Sequence, residues 1–195
     1  MITSTQLIGK RLFDLVLSLL LFPFLIIPII LLVILATIDT KTFGLFRHER
    51  IGQQAMPFMI YKIRTLKVEP HFLGSLDRSA TVLGKFLRQT KLDELPQLFN
   101  VIVGDMSFVG PRPDVKGFAD KLEGLDRIVL QLKPGITGPA TLKYKNEDHL
   151  LAMQDDAETY NRTIIWPDKV KINVNYIHNW SFGKDLIFIL KSIIN

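Results

Sequence analysis

From Leu15 to Ile38 the chain carries no charged residue, and its only polar side chains are Ser18 and Thr37. A run this long predicts an apolar helix able to reach across a bilayer core of about 30 Å. It exceeds the apolar part of a cleaved secretory signal, roughly 7 to 15 residues, and no small-residue cleavage site follows Ile38, so it is expected to stay in the mature protein. Pro23 and Pro28 each remove a backbone donor and crowd the preceding turn, which predicts a bend near the middle of the run. Two arrangements follow. One is a kinked span; the other is a re-entrant helix-break-helix whose arms, about ten residues each, reach roughly 15 Å. Lys10 and Arg11 precede the run while Lys41, Arg47 and Arg50 follow it, and the positive-inside tendency favours both ends on the cytoplasmic side. Asp14, at the start of the run, reads as a boundary residue paired with Lys10 or Arg11.

The apolar excess is local. Hydrophobic residues make up 48% of the 195 and charged ones an ordinary 22%, so beyond the N-terminal run there is material for one domain with a core, not two. A net charge of +5 suits an anionic partner: a membrane surface, a nucleotide diphosphate or nucleic acid. The absence of cysteine excludes disulfides, thiol catalysis and Cys-ligated zinc, and the four histidines show no metal-ligand spacing.

After Thr42 the composition turns mixed. Gly52 to Pro57 separates two apolar-rich pieces, predicting a β-hairpin in which Phe58, Ile60, Lys62 and Arg64 share one face. Two cations two residues apart are either a solvated strand face or a grip for a diphosphate. Val68 to Ala80 lacks periodicity and reads as a loop, and Thr81 to Arg88 as a short helix ending in a basic residue.

The densest chemistry lies between Lys91 and Pro113, KLDELPQLFNVIVGDMSFVGPRP. Leu92, Leu95, Leu98, Phe99 and Ile102 recur at three and four, an amphipathic helix. Placing Asp93 at its N-cap puts Pro96 in the first turn, where a missing donor is harmless. Asp93 and Glu94 there are ordinary helix chemistry. They also sit close in sequence to Arg112, whose flanking prolines restrict its backbone, and carboxylates beside a fixed guanidinium are what phosphoryl transfer uses.

At this point the chain resembles a known family, the small monotopic phosphoglycosyl transferases that start bacterial glycoconjugate assembly. The resemblance runs from KRLFDLVLSLLL through FRHERIGQQAMPFMIYKIRTL and LGKFLRQTKLDELPQLFNVIVGDMSFVGPRP to LKPGITGPA and SFGKDLIFILKSI, nearly the whole chain, and matches the catalytic unit alone. It implies an α+β, mostly helical, membrane-associated catalytic domain with a small β-hairpin, over residues 41–195. Ahead of it, residues 1–40 would form a proline-broken re-entrant membrane helix. The implied reaction moves a sugar phosphate from a UDP-sugar to polyprenyl (undecaprenyl) phosphate and releases UMP, at the cytoplasmic face of the bacterial inner membrane. Carried onto this sequence, Asp93 is the nucleophile that forms a covalent phosphosugar-aspartyl intermediate, and Glu94 is its partner. Arg112 holds phosphate oxygens, with Arg88, Lys62 and Arg64 as further phosphate-binding candidates, and Mg2+ is expected beside Asp93. Membrane lipids are implied partners, a homodimer is left open, and no nucleic acid is expected.

Two departures from the family pattern stand out. Many relatives break the membrane helix at Ser-Pro, where this chain has Phe22-Pro23 and a second Pro28, and many carry tryptophan where Pro139 stands. Lys133 to Gly138 reads as a turn-rich loop bordering the pocket. The acids from Glu147 to Glu158 read as a solvated helix face. Lys169 to Tyr176 and Asp185 to Ile194 read as helices, the last amphipathic and too short to span. Two rivals remain: a membrane-bound UDP-sugar phosphodiesterase using the same dyad with water, and a non-enzymatic basic membrane-binding module.

Overall fold

The computed structural model describes residues 2–67 and 79–194, so most of the stretch predicted as a loop from Val68 lies outside the described residues. The first helix, α1 (Ser4–Thr40), opens on a capping box in which Thr3 and Gln6 satisfy each other's backbone donors, and closes on Lys41 in the left-handed conformation. By length and composition it could cross a membrane. The expected break is absent. Backbone helicity continues through Pro23 and Pro28, both of which lie on the exposed face. A proline on the outer side of a packed helix can be accommodated by bending instead of ending the helix.

One stripe of α1 faces inward along its length, with Lys10, Asp14, Ser18, Ile29, Ala36 and Thr40 buried. Near its start, the Arg11 guanidinium donates to the carbonyls of Val101 and Ile102. Near its end, Ala36 packs with Ile63 and Leu87. Both ends of α1 are therefore held by the same body. Asp14 is not the simple boundary partner expected: its Oδ1 accepts the Phe108 N–H at 3.1 Å, and Lys10 instead pairs with Asp185 at 2.6 Å. The reason is packing, since α8 (Phe182–Ile194) lies against the start of α1, with Phe13 edge-on to Phe182.

The hairpin forms as predicted from β1 (Leu45–Ile51) and β2 (Pro57–Ile63), antiparallel, Phe46 opposite Lys62. Beyond the undescribed stretch comes α2 (Val82–Gln89), capped by Thr81, whose hydroxyl accepts the Gly84 N–H. A 3-10 turn, Leu92–Glu94, leads into α3 (Gln97–Val103). Asp93 is thus not the cap of α3; Pro96 holds that place. A proline ring there crowds the carbonyl one turn back, so the chain before it tightens into three-residue bonds, Glu94 N–H to Lys91 and Leu95 N–H to Leu92.

A second sheet was not predicted. β3 (Ser107–Val109) and β4 (Gly135–Thr137) pair in parallel, so the segment read as a turn-rich loop is partly a strand. Its glycines permit the pairing: a Cβ on Gly110 would stand 2.4 Å from the Lys133 carbonyl oxygen, and one on Gly135 2.1 Å from the Gly110 nitrogen. Short helices α4 (Pro139–Lys143), α5 (Glu147–Ala152) and α6 (Ala157–Tyr160) follow, then a π-type turn and α7 (Trp166–His178). Val109 of β3, Val129 and Leu132 from the stretch before β4, and Val170, Tyr176 and Ile177 of α7 form one buried cluster.

Candidate active site

The site is assembled where β2, the 3-10 turn and the segment after β3 meet. Asn100, fully buried on α3, ties the helix that follows the 3-10 turn to β2: its side-chain amide donates to the Met59 carbonyl at 2.7 Å and accepts the Tyr61 N–H at 3.2 Å. With the helix fixed against the strand, Lys62 Nζ reaches Glu94 Oε1 at 2.8 Å. Gly110 N–H to Thr137 and Gly135 N–H to the Pro111 carbonyl strap the proline-flanked segment to β4. Arg112 consequently lines one pocket with Arg50, Lys62, Glu94, Gln97 and Ile136.

The two adjacent acids are driven apart electrostatically. Burial works against ionising Glu94, yet Lys62 and Arg112 outweigh it and hold the carboxyl down to about 2. Asp93 goes the other way: burial raises its pKa, aided by the charge of Glu94 and opposed by Lys62, Lys91 and Arg88. Its Oδ1 is buried without a hydrogen-bond partner. Glu94 is a fixed anion locked into an ion pair, whereas Asp93 keeps an uncommitted oxygen among cations, and neighbouring carboxyls with divergent environments take different chemical roles. Lys91, just before the turn, adopts φ 58°, a left-handed conformation uncommon for a lysine and of the kind that gathers at working sites.

Arg88 is engaged by Asp148 of α5, and its charge still acts on Asp93. Arg64 is not brought to the pocket. The strand ends at Ile63, and Arg64 turns outward, its Nε donating to the Phe43 carbonyl at 2.9 Å with its guanidinium over Phe46. Nor are the acids after Glu147 all solvated. Glu147 accepts both of its bonds from buried Lys169 at 2.7 Å, and Asp148 takes Arg88, so the start of α5 folds over the cations. Asp155, Asp156 and Glu158 do stay exposed.

Arg50 and Asp114 are the residues that sequence reasoning missed. Burial lowers Arg50, with Arg112 adding to the effect. Asp114, whose carbonyl receives the Ile51 N–H at 2.8 Å, has a side chain pushed up to about 7 by burial against the pull of Lys169 and Arg112. No sequence signal distinguished it from any acid after a turn. Because the folded protein holds this proton and the unfolded chain releases it near pH 4, Asp114 makes stability fall as pH rises from about 4 to 7. Asp114→Asn removes that slope. Thermal unfolding across this range should show the variant gaining on the native protein as pH rises; parallel curves would contradict the assignment.

Among the described residues no group of three or more His, Asp or Glu could hold a metal ion by itself. A magnesium ion needs less, since it keeps waters and binds through one or two carboxylates plus substrate phosphates, and the unpartnered Oδ1 of Asp93 is a donor of that kind.

The model of the bacterial sugar transferase family matches residues 5–195. The chain is 34% identical over 182 residues to an uncharacterized sugar transferase of Bacillus subtilis, EpsL, covering 91% of this chain and 81% of the relative. It is 33% identical to the UDP-glucose:undecaprenyl-phosphate glucose-1-phosphate transferase of Caulobacter vibrioides, covering 94% of this chain and 68% of that protein. Against the Klebsiella pneumoniae enzyme of the same name it is 32% identical over 98% of its own length but only 41% of the relative's. This chain, with two adjacent acids set among cations, belongs to the bacterial sugar transferase family and is a transferase.

Proposed function

We propose that the protein transfers a sugar phosphate from a UDP-sugar to undecaprenyl or another polyprenyl phosphate, as the first membrane step of polysaccharide or glycoconjugate synthesis. The observation that carries this reading is the divergence within the dyad, Glu94 locked by Lys62 and Asp93 left with a buried, unpartnered oxygen among cations. Similarity to relatives named for this reaction supports it. In the proposed sequence an Asp93 oxygen attacks the phosphorus that bears the sugar, the bond to the UMP oxygen breaks, and UMP departs. The phosphosugar then rests on Asp93 as an acyl phosphate until a polyprenyl phosphate oxygen attacks the same phosphorus and restores the carboxylate. Arg112, Lys62 and Arg50 line the pocket in which the diphosphate would be compensated, and Arg88 would add its charge at Asp93. Magnesium, held by Asp93 together with substrate oxygens, would neutralise diphosphate charge when bound.

The same reading puts α1 at the membrane as one unbroken helix, with both of its ends and the active site on the cytoplasmic face. Support comes from both ends of α1 being tied to one body, which is hard to reconcile with ends on opposite sides of a bilayer. The direct test omits the acceptor. After incubation with UDP-sugar and magnesium alone, intact mass should rise by one sugar phosphate, with about one equivalent of UMP released and then a halt. Continuous UMP release without lipid would instead establish hydrolysis, and no UMP at all would favour a binding module.

A further inference from the structure

A second polar pocket opens at the start of α1, and it shares no lining residue with the Arg112 pocket. It is lined by Lys10, Arg11, Asp14, Ser107 and Lys133, with Leu7 at its edge. Most of its polar groups are committed. Lys10 pairs with Asp185, Asp14 accepts from Phe108, and Arg11 gives two of its five N–H donors to the carbonyls ending α3. Lys133 is different, for among the described residues its ammonium makes no hydrogen bond or ion pair.

Lys133 and Arg11 nevertheless converge. A Cβ built on Gly104 would lie 3.1 Å from Lys133 Nζ and 3.2 Å from Arg11 Nη2, so both cations border the space over that glycine. Burial and the neighbouring Arg11 both disfavour the charge on Lys133, while Asp14 and Asp105 favour it. Two cations brought together with neither in an ion pair make a site for an anion with several oxygens. The surroundings identify its source. Ile8 and Leu12, on either side of Arg11 along α1, are 69% and 61% exposed, and α8, which the Lys10–Asp185 pair joins to this place, exposes Leu186, Leu190 and Ile193.

We infer that Lys133 and Arg11 bind the phosphate of a phospholipid headgroup, seating α1 and α8 at headgroup depth. This site is separate from the dyad and rests on the membrane-surface part of the proposed function, not on its chemistry. A lipid phosphate oxygen would take the Lys133 ammonium and the unused Arg11 donors, while the acyl chains run along the exposed leucine and isoleucine side chains.

Native mass spectrometry of the full chain in detergent tests it, with phosphatidylglycerol, diacylglycerol and inorganic phosphate as separate additions. The native protein should retain one phosphatidylglycerol and no diacylglycerol. Lys133→Gln should weaken that retention about tenfold or more, as loss of a charged hydrogen bond implies, and Lys133→Arg should restore it. Unfolding temperature serves as the control for folding. Equal retention by Lys133→Gln and the native protein would overturn the site. Displacement of the lipid by stoichiometric inorganic phosphate would overturn its lipid source. UMP release by Lys133→Gln, measured in parallel, keeps a failure of the transferase reading apart from a failure of this one.

Discussion

Asp93→Asn is expected to abolish sugar-phosphate transfer, by about a thousandfold or more, while leaving the fold at least as stable as before. An amide cannot form the acyl phosphate, and removing the nucleophile of a covalent mechanism costs more than removing any group that only assists it. The stability half of the prediction follows from the environment of the side chain. Burial raises the Asp93 pKa, so the folded state binds its proton more tightly than the unfolded chain does, and ionisation above that pKa works against folding. Asparagine is never charged, and at neutral pH the variant should melt at the same temperature or higher. Activity lost together with stability would point to a merely structural aspartate. Undiminished product from Asp93→Asn would remove it as nucleophile altogether. Glu94→Gln should behave oppositely in stability, because Glu94 is held down to about 2 and its ion pair with Lys62 supports the fold above the ordinary glutamate range.

The elements carried by local pattern were legible in the sequence. Alternation and a turn marked the β1–β2 hairpin, and the uncharged run marked α1. What failed was anything settled by a partner distant along the chain. The prolines of α1 predicted a break, yet a helix lying along a body can place both on its outer face and continue. β3 and β4 are three residues each and pair across an intervening stretch of more than twenty, so nothing local announced a parallel ladder made possible by glycine backbones in contact.

The site divides in the same way. Lys62 and Arg112, singled out because strand alternation and flanking prolines restrict where they point, both line one pocket. Arg64 was grouped with Lys62 on the assumption that the strand continued, and it stops one residue too early. Asp114, Glu147 and Asp148 were passed over or assigned to solvent, since acids near turns are usually exposed. Their engagement by Arg112, Lys169 and Arg88 depends on the start of α5 meeting α2 and α7, a tertiary fact with no local signal.

Arg112→Ala should lower the rate of adduct formation by about 10²–10³-fold, the scale of losing one well-aimed charged donor at a developing phosphoryl charge. Arg112→Lys should recover only part of it, because a point charge replaces a planar fork that can hold two phosphate oxygens at once. Arg112 faces the carboxylates of Glu94, Glu147, Asp114 and Asp148, which together overcome burial and raise its pKa, so its charge is secure at any working pH. Removing it leaves Glu94 with Lys62 as its main remaining counter-charge. Glu94 should then titrate higher than about 2, and the stability it contributes at neutral pH should shrink. The alanine variant is therefore expected to melt below the native protein near pH 7, with the gap closing as pH falls toward the range where Glu94 is protonated in both. Rates must be compared at a temperature where both proteins are folded. Under that condition, adduct formation by Arg112→Ala at the native rate would show that the guanidinium balances the acids around it and takes no part in holding the phosphate.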